Sequence, residues 1–258
     1  MKKSFLISIL LFSMNAFCAN MDFAEFLFNE GDYFRCVTEL KREMYENPNA
    51  DTVKLSNLIS TCCILMGDYT KADEAVINFI SSDEDARYNY LLSQFLQKNY
   101  ISIDTIVLNE DDDGTRIKNL SKIFQGKFKH SDTLLLNDDE IDIYNGYLKI
   151  KKKNPYLALL LSAVIPGAGR FYSERSGDGL FSLITVLTPA LVGAYYFIYT
   201  DNKTAQYSSA GVFAAFYFGE LYGAFNSASI YHTNKVEEYY KKVILDYSDS
   251  ILRPRFSF

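Results

Sequence analysis

Apolar residues recur at helical spacing along most of the chain, and their setting changes near position 150. Phe23, Ala24, Phe26, Leu27 and Phe28 lead into a Gly31-Asp32-Tyr33 turn, with Cys36 and Leu40 on one face of the next segment. Leu58, Ile59, Cys62, Cys63, Ile64 and Leu65 lead into Gly67-Asp68-Tyr69, followed by Ala72, Val76 and Phe79. Two weaker versions follow. Arg87–Gln97 leads to Lys98-Asn99-Tyr100, Ile103 and Val107, and Ile117–Gln125 leads to Gly126-Lys127-Phe128, Ser131 and Leu135. The turn aromatics Tyr33, Tyr69, Tyr100 and Phe128 stand 36, 31 and 28 residues apart. Spacings of three and four place side chains on one helical face, so each unit predicts a helix, a turn and a second helix. Glycine reaches positive φ cheaply, which suits Gly31 and Gly67 to the turns. Asp32 and Asp68 are placed to accept the free N–H groups that open the next helix.

After position 150 the pattern is different. Gly179–Thr200 holds 22 residues without a charge, enough to span a bilayer core of ~30 Å, with Pro189 in mid-run. Asp201-Asn202-Lys203-Thr204 reads as a tight loop, and Thr204–Asn234 carries one charge, Glu220, in 31 residues. Two antiparallel membrane helices over 179–234 are expected, with Tyr195, Tyr196, Tyr199, Tyr207 and Tyr231 near their ends as an interfacial belt. Gly211, Ala215, Gly219, Gly223 and Ser227 recur every fourth residue, a small-residue ridge for close helix packing within the hairpin or against a second copy. Pro155–Tyr172 is apolar but interrupted at Pro166-Gly167, so 149–178 reads as an interfacial or re-entrant segment with a glycine turn. Lys235–Tyr247 sets Val236, Tyr239, Tyr240, Val243, Ile244 and Tyr247 against a charged face, giving 235–258 as an amphipathic helix and tail.

Composition sharpens this division. The 258 residues carry 26 Lys+Arg and 32 Asp+Glu, with 48% apolar and 22% charged, too apolar for a disordered chain. Residues 21–148 hold 24 acidic and 12 basic side chains, whereas 149–258 hold 8 acidic and 12 basic. The acidic balance argues against nucleic acid as a partner. Two histidines and no Cys-x-x-Cys leave no metal motif, and no phosphate loop or nucleophile–base pair is present. No cofactor is expected. The acidic runs Asp83-Glu84-Asp85 and Glu110-Asp111-Asp112-Asp113-Gly114 lack the alternating spacing of a calcium loop and read as solvated loops.

Residues 1–19 have the form of a secretory signal peptide: Met1-Lys2-Lys3, an apolar run Phe5–Phe12, and small residues before a cut after Cys18 or Ala19. Residues 20–148 are then an exported domain in an oxidising space, where Cys36, Cys62 and Cys63 remain. They read as buried apolar residues, with Cys36 able to reach either Cys62 or Cys63 if the helices approach.

The Gly-Asp-Tyr turns, the small residues Cys36 and Ala72, and Pro48 after the first unit resemble tetratricopeptide repeats. The resemblance implies an all-α solenoid with a groove that holds peptides or partner helices. Pro166-Gly167-Ala168-Gly169-Arg170-Phe171-Tyr172, then Gly177-Asp178-Gly179 and the Phe218–Ala228 stretch, resemble a widespread bacterial two-helix membrane module, with Arg170 where that module has glutamine. The full combination resembles a family of bacterial envelope proteins and implies a location, not an activity.

Glu220 is the one ionisable group inside an apolar helix and needs a partner, with Arg170, Asn226 and the Tyr217 or Tyr222 hydroxyl as candidates. The expected fold is therefore all-α: a tetratricopeptide-like solenoid followed by a transmembrane hairpin with flanking interfacial helices. The expected role is a non-enzymatic, membrane-anchored adaptor. Its partners are envelope proteins or peptides in the groove, the lipid bilayer, and a second copy through the small-residue ridge. Its expected place is the inner membrane, with the repeats in the periplasm. The alternative is a membrane-embedded enzyme or transport subunit using Glu220, Arg170 and Asp178.

Overall fold

The computed structural model describes residues 21–107, 114–128 and 136–258. The expected signal peptide, the run Glu110–Asp113, Ser131 and Leu135 lie outside the described residues. Among those described, the chain forms twelve α-helices and no strand, as the all-α expectation requires. It divides into two compact units, one reaching to Ile141 and including Ile244–Phe258, the other spanning Asp142–Val243.

In the first unit the helices are α1 (Met21–Asn29), α2 (Tyr33–Glu46), α3 (Thr52–Leu65), α4 (Tyr69–Val76), α5 (Glu84–Leu96), α6 (Tyr100–Thr105) and α7 (Gly114–Phe124). Helix α8 (Asp138–Leu148) follows. Each of the first seven packs on a chain neighbour, while α3 also packs on α5 and α5 on α7. The apolar faces meet in a core that includes Cys36, Leu40, Leu58, Cys62, Leu91, Leu92, Phe95 and Leu120.

One turn geometry recurs four times. Gly31, Gly67 and Gly126 have φ of +77°, +77° and +68°, and Lys98 takes the same left-handed conformation at +60°. In each turn this residue's N–H reaches back three residues, and the next N–H reaches back five: Asp32 to Leu27, Asp68 to Cys63, Asn99 to Gln94 and Lys127 to Lys122, all at 2.9 Å. This pair of bonds closes the last carbonyls of a helix. The third turn keeps the geometry although it has Lys98 in place of glycine. Asp32 and Asp68 accept from the Arg35 and Lys71 N–H groups, as the sequence spacing predicts. Asp83 caps α5 by accepting from Ala86 N at 2.7 Å and also accepts from Asn57 Nδ2 at 2.9 Å. Asp83-Glu84-Asp85 is therefore a helix cap and first turn rather than a solvated loop, because carboxylates at a helix N-terminus satisfy its open N–H groups and its dipole.

The second unit holds α9 (Pro155–Val164), α10 (Ala168–Tyr172), α11 (Ser176–Tyr199) and most of α12 (Lys203–Tyr247). Asn154 caps α9, with Pro155 in the first turn. Helix α12 runs for 45 residues without a break, so the expected boundary at 235 is not a helix boundary. No glycine or proline lies between Ser227 and Tyr247 to stop it. Among the described residues, α11 is the one helix long and apolar enough to cross a membrane. Two such helices are expected from the sequence. The second, α12, is long enough, but serine, glycine, glutamine and tyrosine dilute its hydropathy.

Candidate functional site

Two polar assemblies stand out, one in each unit. In the second, Glu220 is 3% exposed. Its Oε1 accepts from Ser162 Oγ and from Gly167 N, both at 3.0 Å, and its Oε2 accepts from Arg170 Nε at 2.9 Å. Ser162 Oγ in turn accepts from Gly169 N at 2.9 Å. The Pro166-Gly167-Ala168-Gly169 turn permits this convergence. Gly167 has φ +87°, and a Cβ there would lie 2.2 Å from Gly179 O. A Cβ on Gly169 would lie 2.1 Å from Ala158 O. The residues are glycine because backbone passes where a side chain would be. Gly223 makes room for Arg170, whose Nη2 would sit 2.1 Å from an added Cβ. Both carboxylate oxygens are thus occupied by the chain's own donors, as a buried charge requires.

The other predicted residues of this region divide. Tyr172 accepts through its hydroxyl from Asn154 N at 3.2 Å, and Pro166 is half-buried beside the turn. Asn226 is exposed and is not a partner of Glu220, while the Tyr217 hydroxyl donates to Ala163 O at 2.9 Å instead. Tyr222 is 73% exposed. Along the small-residue ridge, Ser227 accepts from Arg175 Nη1 at 3.4 Å. Gly211, Ala215 and Gly219 face outward, and a Cβ on either glycine would meet nothing within 4 Å. Asp178 pairs with Arg175 at 2.5 Å.

The second assembly lies in the first unit, and the sequence reading passes over it. The segment 251–258 lies along α1, α3 and α5. Asn89, fully buried on α5, donates from Nδ2 to Arg255 O and accepts at Oδ1 from Arg255 N, each at 2.8 Å. Thr61, fully buried on α3, donates to the same carbonyl at 3.2 Å. The Tyr88 hydroxyl donates to Ile251 O. Burial pushes the Tyr88 phenol up, which keeps it a donor. The Arg255 guanidinium lies 4.4 Å from the Tyr88 ring centroid and 3.7 and 3.9 Å from Glu84 and Asp85. Phe256 and Phe258 pack on Phe28, at 4.6 and 5.2 Å between centroids. Main-chain hydrogen bonds hold the segment, while acidic and aromatic pockets take its side chains.

No family model matches the chain, and no solved structure matches it. Over 68 residues it is 37% identical to the uncharacterized protein MJ1516 of Methanocaldococcus jannaschii, a stretch that is 26% of this chain and 67% of that one. The chain belongs to that protein's family. The relative's name carries no activity, so kinship adds no chemistry to either assembly.

The signal for the second assembly is present in the sequence only as two polar residues, Thr61 and Asn89, within helices with apolar neighbours, and both are buried. Among the described residues no group of His, Cys, Asp and Glu is arranged to hold a metal ion.

Proposed function

We propose that the protein is a membrane-anchored helical-repeat adaptor of the bacterial envelope, exported by its signal peptide, with the first unit holding an extended protein segment. The observation that carries this reading is the Asn89 bracket on Arg255. A side-chain amide that pairs with both main-chain groups of one residue recognises a peptide backbone whatever its sequence. The acidic surroundings favour a basic, aromatic-containing segment, and in this structure the chain's own 251–258 fills that place. The four matching turns support a tetratricopeptide-like array. The length and composition of α11 support insertion in a membrane, with the first part of α12 completing a hairpin and the flanking segments at its surface. The outward part of the ridge at Gly211, Ala215 and Gly219 suits a second copy, since small residues permit close helix contact in lipid.

The rival role for Glu220 in catalysis or transport needs an oxygen free for substrate, and Ser162, Gly167 and Arg170 occupy both. A photo-crosslinking residue at position 88 of the full chain, activated in cells, tests the adaptor. A recurrent adduct with one envelope protein is the expected result. Adducts confined to the chain's own 251–258 under every growth condition would refute the role. Release of the protein into the soluble fraction without detergent would refute the anchoring.

A further inference from the structure

The second unit contains a basic cavity of about 480 Å³, lined among others by Lys149, Lys151, Lys153, Lys235 and Lys242. Two carboxylates line it, Glu174 and Glu238. Glu174 already serves Lys153 at 3.5 Å and Lys235 at 3.8 Å, and Glu238 serves Lys235 at 3.0 Å. The Tyr231 hydroxyl, first, and then the two lysines hold the Glu174 carboxyl below its usual range, so it stays charged and committed to them. Lys149, Lys151 and Lys242 make no ion pair among the described residues, which leaves three cations in excess. They come from two separate stretches of chain, the 149–153 segment and α12, and so surround the cavity rather than lie in a row.

The cavity walls are firmly set. The Tyr239 hydroxyl donates to Ile143 O at 3.0 Å, and Gly146 clears the space for it, since a Cβ there would lie 2.0 Å from that oxygen. Lys153 Nζ lies 4.9 Å from the Tyr172 ring centroid and 5.1 Å from that of Tyr231. Ile150 and the faces of Tyr231 and Tyr239 add an apolar side. Three unpaired ammonium groups beside an apolar wall match a phosphate group joined to a small organic moiety. The volume suits a headgroup-sized ligand rather than a helix.

We propose that this cavity binds a phosphate-bearing ligand. An anionic phospholipid headgroup is the source that fits its position, because Glu174 precedes by two residues the helix Ser176–Tyr199. The choice of lipid rests on the membrane reading above; the phosphate chemistry does not.

The test uses the full chain purified in detergent, and a variant carrying Lys149→Gln, Lys151→Gln and Lys242→Gln. A control carries Lys41→Gln, Lys54→Gln and Lys122→Gln, which removes the same charge from the first unit. Binding of phosphatidylglycerol, phosphatidylcholine and inorganic phosphate is followed by native mass spectrometry and calorimetry, with circular dichroism to confirm equal helix content. Phosphatidylglycerol should bind in preference to phosphatidylcholine. The cavity variant should lose roughly a hundredfold in affinity, and the control should stay within about threefold of the parent. Phosphatidylglycerol binding that inorganic phosphate does not displace supports the lipid source, whereas full displacement supports a soluble phosphate compound in the same cavity. Equal loss in the control, no loss in the cavity variant, or no binding of any probe overturns the site. A chain that needs detergent but fails these assays refutes the cavity alone. One that binds phosphate yet stays soluble refutes the anchoring alone.

Discussion

Asn89 and Arg255 are joined by two hydrogen bonds of 2.8 Å, side-chain amide to main-chain N–H and C=O, although 166 residues separate them. The pairing makes the segment 251–258 a part of the first unit's packing and sets the first prediction. Asn89→Leu removes both bonds and leaves the Arg255 main chain without them, at a cost of about 1–3 kcal/mol. The segment should then leave the groove more often. Trypsin should cut after Arg255 faster in the variant than in the parent, with overall helix content unchanged. An unchanged cleavage rate would show that the bracket does not hold the segment.

The four turns predict opposite effects for two glycine exchanges. Lys98 carries the left-handed conformation with a side chain, and φ is +60°. Lys98→Gly relieves that strain, partly offset by the greater freedom of glycine when unfolded, for a net gain of roughly 0.5–1 kcal/mol. Gly67→Ala meets no atom within 4 Å, so its penalty is the backbone strain alone, about 1 kcal/mol. Thermal midpoints of the two variants should move in opposite directions.

Glu140 predicts a pH dependence. It is 2% exposed, and it closes the start of α8 by accepting from Asn137 N at 2.9 Å. Burial lifts its carboxyl above the ordinary range, with the Asn137 N–H opposing. The folded state therefore holds the proton more tightly than the unfolded chain. Its stabilising effect is full below the unfolded value of about 4.3 and is lost as pH rises through the raised folded value. Glu140→Gln keeps an acceptor for Asn137 and removes the ionisation. The variant should be more stable than the parent at about pH 7, with the advantage gone at about pH 4. Equal differences at both pH values would contradict the assignment.

Glu220→Ala should remove the acceptor for Gly167 N and Ser162 Oγ and leave Arg170 without its carboxylate. Breaking a buried pair from one side costs about 3–5 kcal/mol, so the amount of folded protein should fall. Arg170→Gln in the Glu220→Gln background keeps neutral hydrogen bonding and should restore part of the loss. A full protein level for Glu220→Ala, with function gone, would favour a chemical role instead.

Cys62 Sγ donates to Cys36 Sγ at 3.6 Å, and Cys36 Sγ donates to Ala24 O at 3.2 Å. Hydrogen bonding to Cys36 and burial push the Cys62 thiol up. Cys36 therefore meets Cys62, the neighbour on its side of α3, rather than Cys63. Protein matured through export should carry a Cys36–Cys62 disulfide with Cys63 alkylatable after unfolding, as peptide mapping would show. A link through Cys63 would contradict the packing.

Much of the local structure was legible beforehand. Gly31, Gly67, Asp32 and Asp68 act within five residues of themselves, and their turns and caps follow from their chemistry. Lys98 was not legible as a left-handed residue, because that position is set by the helices packed on either side of it. Glu220 was legible as a buried acid, and Arg170 as one candidate partner. Ser162 and the Gly167 N–H were not, since only the glycine turn brings them beside it. Thr61 and Asn89 read as polar interruptions of apolar helices, and Arg255 as part of a short tail without pattern.

The sequence alone determined where most helices form and how those flanked by Gly31, Gly67, Asp32 and Asp68 end or begin, because periodicity, capping and glycine turns are interactions between near neighbours. The tertiary structure decided which distant groups meet: Asn89 with Arg255, Glu220 with Ser162 and Gly167, and the lysines of 149–153 with those of the long helix. Those meetings depend on how whole helices pack, and no local spacing in the chain encodes them.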